Sequence, residues 1–331
     1  NIYVNTVIIV SEGQVRTAWV WDLDDDQTIG NGFNWNWTLT NYKDVYPFGS
    51  GWSQWQIMQA LSDGKNVRVL GDLNLDGDLY IPEGLIVQVE GSLNDKGHSI
   101  TGAGTLRVRN DFTTSSGAIS VTTQVGDAEG DELILNTANT TISSKVGVYD
   151  NIQGGLNKLT VSANGNVYAG GDVLVKYLDV YGHLEAENYS IHQGVVYSNH
   201  TLVARGDINV YDADGNDGYL WIGGIWSGVT YTGTVELNGN IHGGGNLTVD
   251  NGTLTMTRSA SIDAVDKVYV GLNGVIEQPN GVTHDLVATG AVDINGTVSI
   301  PGTIVAASLN LGAKADVTLT KYPTCSITGM T

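Results

Sequence analysis

"VRVLGDLNLDGDLYI", residues 67–81, decides the fold of this chain because its apolar residues recur at every second position. The series consists of Val67, Val69, Leu73, Leu75, Leu79 and Ile81, with Gly71 and Gly77 in its two gaps. A period of two predicts strands. One strand of that length would extend roughly 50 Å, far beyond the usual 5 or 6 residues. The stretch therefore predicts two or three short strands whose alternation continues through the bends between them.

The same pattern returns along the chain after residue 66, and its clearest later instance is "GAVDINGTVSI", residues 290–300. An Asn-Gly pair between short strands usually forms a hairpin turn. A hairpin at Asn295-Gly296 would pair Ile294 with Thr297, an apolar residue against a polar one. A glycine at the inward position instead lets the backbone bend over a crowded core. These bends are typical of the corners of a β-solenoid.

We therefore predict an all-β chain with a β-solenoid or stacked β-arch architecture. Tandem antiparallel β-sandwiches are the alternative, because "LTVDNGTLTM" meets the requirements of a hairpin. It would pair Val249 with Leu254 and Leu247 with Met256, apolar against apolar. We expect hairpins of this kind at some places in the chain.

The composition changes near residue 65. Six of the eight Trp lie before that point. "GWSQWQIMQALSDG" predicts one short helix over residues 52–62, with Trp52, Trp55 and Met58 at helical spacing. The predicted organisation is an N-terminal strand with a Trp-rich cap, residues 1–65, followed by a glycine-punctuated solenoid, residues 66–331.

The aromatic residues between positions 33 and 55 have two interpretations. In the first interpretation they form the core of the cap, where each Trp would bury about 150–250 Å². The predicted helix would supply the matching apolar residues. Alternatively, Trp35 and Trp37 share one strand face and form a platform on which a glycan stacks. We favour the cap.

The charge balance excludes several classes of partner. Lys and Arg number 15 against 35 Asp and Glu, for a net charge of −20. Nucleic acid and anionic membranes both require a basic surface, so neither is an expected partner. No run of about 18 apolar residues is present, so we expect no membrane insertion.

The beginning of the chain and its cysteine content bear on localisation. Because the chain starts at Asn1 without Met, we expect a secreted form whose signal peptide has been removed, on the outside of the cell. The single Cys325 excludes an internal disulfide framework. We expect it to be a buried or inert thiol, with an intermolecular cross-link as the alternative.

Sequence signatures of catalysis are missing: there is no nucleophile elbow, zinc-protease motif, Walker loop or dinucleotide fingerprint. We therefore expect no enzymatic activity. A carbohydrate-active β-helix enzyme is the alternative, in which Arg107 with Arg109, or Asp207 near Arg205, would supply the charged groups. Charged residues that project from strands are more often solvated, and a fold analogy does not make an enzyme.

One acidic loop is a candidate calcium site. "DADGNDG" offers oxygen ligands from Asp212, Asp214, Asn216 and Asp217, and hard cations require such clusters. The loop lacks the glycine and the final glutamate of a complete twelve-residue calcium loop. An acidic turn, which Asp and Asn favour by their own geometry, is the preferred interpretation; Ca²⁺ remains the only cofactor considered.

Seven sequons are candidate glycosylation sites, a weak excess over chance. They begin at Asn36, Asn139, Asn188, Asn199, Asn246, Asn251 and Asn295.

"GNLTVDNGTLTM" and "GAVDINGTVSI" resemble segments of β-solenoid cell-surface proteins, including haemagglutinin-type adhesins, and of β-rich archaeal sheath and surface-layer proteins. The resemblance covers about residues 66–320 and is one of general sequence pattern, without an invariant motif. It implies a surface location. The irregular repeat length differs from that of strict hexapeptide or nonapeptide solenoids.

The first ten residues, "NIYVNTVIIV", carry no charge and predict a strand that adds to the sheet edge of a neighbouring copy. The residues expected to assemble in this way are Ile2, Val4, Val7, Ile8, Ile9 and Val10. The alternative is that they form the first strand of their own subunit. We accordingly expect a structural protein that forms a homopolymer, a surface layer, sheath or filament. A monomeric adhesin that binds glycans is the second hypothesis.

Overall fold

The alternating residues 67–81 form three short strands, and all six apolar residues of the series are buried. The bends at Gly71 and Gly77 join these strands, as the pattern predicts. The computed structural model describes residues 8–11, 14–17, 37–47, 52–197, 201–213, 216–226, 228–257, 260–279, 285–319 and 325–327.

Successive turns of the chain stack in parallel. Val67 is in register with Val87, and Val87 with Leu106, so one turn takes roughly 20 residues. About 13 such turns form an all-β solenoid with one short helix near its beginning. This confirms the predicted β-solenoid and excludes tandem sandwiches for the described residues, because the solenoid strands pair in parallel.

Each complete turn contributes a strand to each of three sides. The first side is a 14-stranded parallel sheet. Its strands are Tyr42–Val45, Asn66–Val69, Ile86–Val89, Thr105–Val108, Thr122–Val125, Lys145–Val148, Asn166–Ala169, His183–Ala186, Thr201–Ala204, Thr234–Leu237, Thr253–Met256, Val275–Glu277, Thr297–Ile300 and Asp316–Leu319. We call it the first sheet.

The second and third sides share two long strands, Ile152–Val161 and Val173–Val180, which bend from one side to the other. The remaining strands of the second side are Leu73–Asn74, Leu93–Asn94, Phe112–Thr114, Leu133–Leu135, Tyr189–Ile191, Ile208–Val210, Asn240–His242, Ser261–Val265, Leu286–Ala288, Ile304–Ala306 and Cys325–Ile327. Those of the third side are Leu79–Tyr80, Ile100–Thr101, Ala118–Ile119, Asn139–Ile142, Gln193–Val196, Tyr219–Ile222, Asn246–Val249, Val268–Val270, Ala291–Ile294 and Ser308–Leu311.

The prediction of a hairpin within "LTVDNGTLTM" is wrong. Asn246–Val249 belongs to the third side and Thr253–Met256 to the first sheet, and Val235 and Ile276 flank Leu254 in parallel. The turn instead continues around the corner because the inward positions of both strands already face one core. The two antiparallel hairpins of the described residues lie elsewhere: Ile8–Ser11 pairs with Gln14–Thr17, and Gly224–Trp226 with Val229–Tyr231.

Inward glycines form the corners. Between Val292 and Ile300 every second residue is buried, and this alternation continues without interruption through Gly296. A Cβ on Gly296 would lie 2.2 Å from the carbonyl oxygen of Gly271 and 2.3 Å from that of Gly274. The preceding turn therefore approaches so closely that no side chain fits, which explains the glycine.

Asp and Asn side chains connect the corners of neighbouring turns. Asp72 Oδ1 accepts the Ser92 N–H at 2.8 Å, and Asp207 Oδ1 accepts the Asn240 N–H at 2.6 Å. The corner leaves backbone N–H groups without a strand partner, and each acceptor from the turn before satisfies one of them. Acidic residues of this kind thus have a structural role at the corners.

Asp95 is the most deeply buried of these acceptors, at 1% exposure. Its carboxylate accepts the N–H groups of Gly97 and Ser115 at 2.9 and 2.7 Å, that of Ser116 at 3.3 Å, and the Thr114 hydroxyl at 2.7 Å. The carboxylate therefore joins its own bend to the following turn.

The one helix of the described residues, α1 (Trp52–Ser62), confirms the predicted helix. It packs against Tyr42–Val45, Asn66–Val69 and Leu79–Tyr80, at the first turn of the solenoid. Tyr42–Val45 is already a strand of the first sheet, so the sheet begins on the N-terminal side of α1.

Candidate functional site

The N-terminal end of the solenoid is covered by α1 through a polar contact. Gln54 donates a hydrogen bond from Nε2 to the Asp78 carbonyl at 2.8 Å and accepts the Asp76 N–H at Oε1, also at 2.8 Å. The side-chain amide thus replaces the peptide group of a missing neighbouring strand. Ile57, Ala60 and Leu61 are buried beside it.

The large side chains of α1 lie on its opposite face, against expectation. Trp52, Trp55 and Met58 are 55%, 54% and 52% exposed, and the two indole rings stack with centroids 5.3 Å apart. The interpretation of these Trp residues as cap core is therefore wrong. Beneath the helix the strand backbone presents both a carbonyl and an N–H group, which the Gln54 amide satisfies together, whereas an indole can only donate. Trp35 lies outside the described residues, and the partly buried Trp37 packs over the Arg109 guanidinium at 4.9 Å.

The last strands of the third side and of the first sheet, both within residues 308–319, expose inward positions. Val317 and Leu319 continue the columns of the buried Val298 and Ile300 but are only half-buried. Leu311 is 56% exposed although its register partner Ile294 is buried. The two end surfaces of the described solenoid, the outer face of α1 and residues 308–319, are therefore both partly apolar.

These two end surfaces are nearly free of charge. The sequence of α1, "WSQWQIMQALS", contains no charged residue, and residues 308–319 contain one Lys and one Asp. The whole chain has a net charge of −20. Copies of the chain would therefore repel one another less at their ends than along their sides.

The uncharged N-terminal segment forms a local hairpin where it is described. Ile8–Ser11 pairs with Gln14–Thr17, and neither strand joins a sheet of the described solenoid. An isolated two-stranded hairpin is marginally stable by itself. Of the six residues expected to assemble, Ile8, Ile9 and Val10 lie in this hairpin, while Ile2, Val4 and Val7 lie outside the described residues.

The arginines considered for catalysis connect different turns: Arg109 contacts neighbouring turns, and Arg205 reaches the turn two before its own. Arg109 pairs with Glu90 at 2.7 Å and with Asp127. Arg205 donates to the Ala169 and Gly170 carbonyls at 2.7 and 2.8 Å. Both guanidinium groups therefore hold turns together on the outer surface.

The other two charged groups considered for catalysis have separate surroundings. Burial lowers the pKa of Arg107, whose Nε and Nη1 atoms have no hydrogen-bond partner. Asp207 serves as a corner acceptor and lies 3.7 Å from His242. Arg109, Arg205 and Asp207 thus each have local partners of their own.

The proposed calcium loop is described in part. Asp212 Oδ1 accepts the Gly218 N–H at 2.7 Å, and the backbones of Ala213 and Asn216 pair with each other. Asp217 is exposed, and Asp214 lies outside the described residues. No cluster of three His, Cys, Asp or Glu side chains suited to a metal ion occurs in the described part of the chain. The hydrogen bond from Gly218 gives Asp212 the role of an acceptor within an acidic turn.

Calcium binding remains a prediction with a direct test. Removal of Ca²⁺ with EDTA is expected to lower the melting temperature, because a ligand at 100 times its Kd stabilises the folded state by roughly 2.7 kcal/mol. Asp214→Ala should abolish this sensitivity, while Asp263→Ala on an exposed strand position should retain it. Differential scanning calorimetry measures both. An identical melting temperature of the parent protein with and without EDTA would remove calcium from the account.

The sequons differ in accessibility. Asn139 is exposed. Asn188 donates from Nδ2 to Asp172 at 2.8 Å, and Asn251 donates to the Tyr231 carbonyl at 3.1 Å, so a glycan on either Nδ2 would compete with these bonds for the two N–H positions. Asn246 and Asn295 are partly buried, and Asn36 and Asn199 lie outside the described residues. Cys325 belongs to a strand in register with Ile304.

An aromatic groove on the third side was missed by the sequence analysis. It consists of Tyr181, Tyr197, Tyr219, Trp221 and Tyr231. The rings of Tyr181 and Tyr197 stack with centroids 4.2 Å apart and planes 2° from parallel, and Tyr231 meets Tyr197 edge-on at 5.0 Å. Beside them a small open recess is lined mainly by apolar groups. Tyr181, Tyr197 and Trp221 come from three successive turns, so only aromatic recurrence at the turn period could have revealed them.

No helix in the described part of the chain is long and apolar enough to span a membrane. Comparison with protein-family models, curated proteins and solved structures gave no match to this chain. The class of protein is therefore defined by its fold: a β-solenoid whose two described ends are partly apolar and almost uncharged.

Proposed function

We propose that this protein is a non-enzymatic structural protein of the cell exterior, which assembles with copies of itself into a surface layer, sheath or filament. The observation that carries the proposal is the pair of weakly charged, partly apolar end surfaces on a strongly acidic solenoid. One end presents Trp52 and Trp55, and the other presents Leu311. Contacts between two different surfaces generate an open filament when the rotation between subunits does not close a ring, and surfaces at opposite ends of an elongated stack favour the filament.

Strand pairing supplies the connection between subunits in this proposal. The N-terminal segment of one copy, which includes Ile8–Ser11, adds to strands Ser308–Leu311 and Asp316–Leu319 of the next copy. Main-chain hydrogen bonds give continuity between the subunits. Each large apolar side chain that the contact buries adds roughly 1.5–3 kcal/mol. In its own chain the strand Ile8–Ser11 pairs only with Gln14–Thr17 and lies outside the solenoid sheets. The strand can therefore move to a neighbouring copy without the opening of any solenoid turn.

Deletion of residues 1–10 tests this assembly. We expect the parent chain, residues 1–331, to form ordered polymers in electron micrographs and the deletion variant to remain a folded monomer. Val7→Lys combined with Ile9→Lys should have the same effect, because charge at the contact is desolvated without a partner. Sedimentation velocity measures assembly, and far-ultraviolet circular dichroism verifies the fold.

Tyr269→Lys is the matched control, because Tyr269 is 38% exposed on the side of the solenoid, and it should leave the polymers intact. Undiminished polymers after the deletion would refute strand exchange. If the deletion variant is unfolded, the segment is instead part of the fold of its own subunit. A monomeric parent chain would refute assembly altogether.

A further inference from the structure

The aromatic groove lies on the side of the solenoid, away from both end surfaces, so the proposed assembly leaves it open. We propose that the aromatic groove binds a neutral hexose-based glycan. A pyranose ring has an apolar face of C–H groups and an edge of hydroxyl groups. The groove offers the complementary arrangement, aromatic rings with polar groups beside them, as small-molecule sites commonly do.

The apolar part of the groove is held rigidly by the solenoid. Tyr219 and Trp221 project from one strand, where their register partners in the preceding turn are Gln193 and Val195. Val195 and Trp221 line the recess together with Tyr197 and Tyr231. Because parallel strands fix these positions, the rings are arranged before a ligand arrives, and binding requires little ordering of side chains.

The polar part is an ion pair between neighbouring turns. Lys158 Nζ lies 2.5 Å from Asp179 Oδ2, and the two side chains are 34% and 17% exposed. Asp179 is in register with Val195 and thus borders the recess. Burial raises the pKa of the Tyr181, Tyr197 and Tyr219 hydroxyls, so these groups remain protonated. Tyr181 and Tyr197 hydrogen-bond to each other, and the Tyr219 hydroxyl can donate to a ligand.

These polar groups favour a hydroxylated ligand over an aliphatic one. A lipid chain over the groove would remove water from the Lys158–Asp179 pair without supplying hydrogen bonds, which is costly for buried charges. Sugar hydroxyls can donate to Asp179 and accept from tyrosine hydroxyls. The charge of the molecule favours a neutral glycan, because the chain carries −20 overall and Asp179 already neutralises Lys158. A polyanionic glycan would meet repulsion without a free cation in this pair.

The hairpin Gly224–Trp226/Val229–Tyr231 forms one wall of the groove. Gly224 and Ile225 line the recess from this hairpin, as does Tyr231. Gly223 and Gly224 at its base have φ angles of 66° and 138°, conformations that other residues rarely adopt. The insertion thus gives the solenoid a concave surface at this level.

Isothermal titration calorimetry with a panel of soluble polysaccharides tests the proposal. The neutral probes are dextran, mannan, galactan and mixed-linkage β-glucan, and polygalacturonate is the anionic comparison. We expect saturable binding of at least one neutral probe. Trp221→Ala should weaken it at least tenfold, since Trp221 lines the recess and truncated aromatic residues at a binding surface commonly cost that much. Asp179→Asn should weaken it about tenfold through the loss of a charged acceptor.

The matched control is Tyr269→Ala, which removes an exposed tyrosine from the same side two turns further along and should bind as the parent does. Thermal melting verifies each variant, and Trp221→Leu, which keeps apolar volume without an aromatic face, provides the same comparison if the alanine variant unfolds. No binding of any neutral probe, or equal binding by the Trp221 variants, would overturn the proposal. Binding of polygalacturonate alone, or binding lost through Trp52→Ala instead, would also overturn it.

Discussion

Gly296→Val is expected to lower the free energy of unfolding by at least about 3 kcal/mol, at or beyond the upper end of typical overpacking. A Cβ at this position would lie 2.2 Å from one backbone oxygen and 2.3 Å from another, and backbone in a stacked turn cannot rotate away as a side chain can. The corner must therefore separate from the turn before it. Gly239→Val should act similarly, since its Cβ would lie 2.4 Å from the backbone carbon of Gly206.

Chemical denaturation followed by circular dichroism measures this effect. Asn238→Ser is the matched control beside Gly239, because Asn238 is exposed and should tolerate a smaller polar side chain. If the two glycine variants were as stable as Asn238→Ser, alternation through the corners would not be the basis of the fold.

Asp95→Ala is expected to cost about 3 kcal/mol or more, because one carboxylate satisfies four donors. Its removal leaves the buried Thr114 hydroxyl and the N–H groups of Gly97 and Ser115 without their acceptor. Each buried group that loses its hydrogen bond costs about 1–3 kcal/mol. Urea denaturation of the variant gives the loss directly.

Asp263→Ala provides the comparison for Asp95, since Asp263 lies at an exposed strand position. Its effect should be within about 0.5 kcal/mol of zero, as for most surface substitutions. A similar small effect for Asp95→Ala would show that the corner hydrogen bonds add little to stability.

The fold was largely predictable because every turn repeats one physical requirement. An inward apolar residue must alternate with an outward polar one, and Gly296 continues that alternation through a corner. The hairpin at residues 247–256 could not be excluded in this way, since Val249 and Leu254 are apolar both in a hairpin and in a solenoid. Which partner each strand chooses depends on the neighbouring turns, which a local pattern does not contain.

The candidate surfaces were less predictable than the fold. Helical spacing correctly placed Trp52, Trp55 and Met58 on one face of the helix. The spacing does not show which face of the helix packs against the solenoid. The buried face of the helix is the one from which the Gln54 amide hydrogen-bonds to the strand backbone. The aromatic groove depends on tyrosines from separate turns, and an irregular repeat length conceals their proximity in the sequence.

The parallel register has a consequence for how the chain folds. Most contacts join residues only one turn apart, as Val67 and Val87 do, so contact order is low for an all-β protein. The entropic cost of closing each loop is therefore small, and folding can spread from one formed turn to the next. Since α1 and the first turns leave the ribosome first, their formed edge can serve as a template on which later turns are added during synthesis.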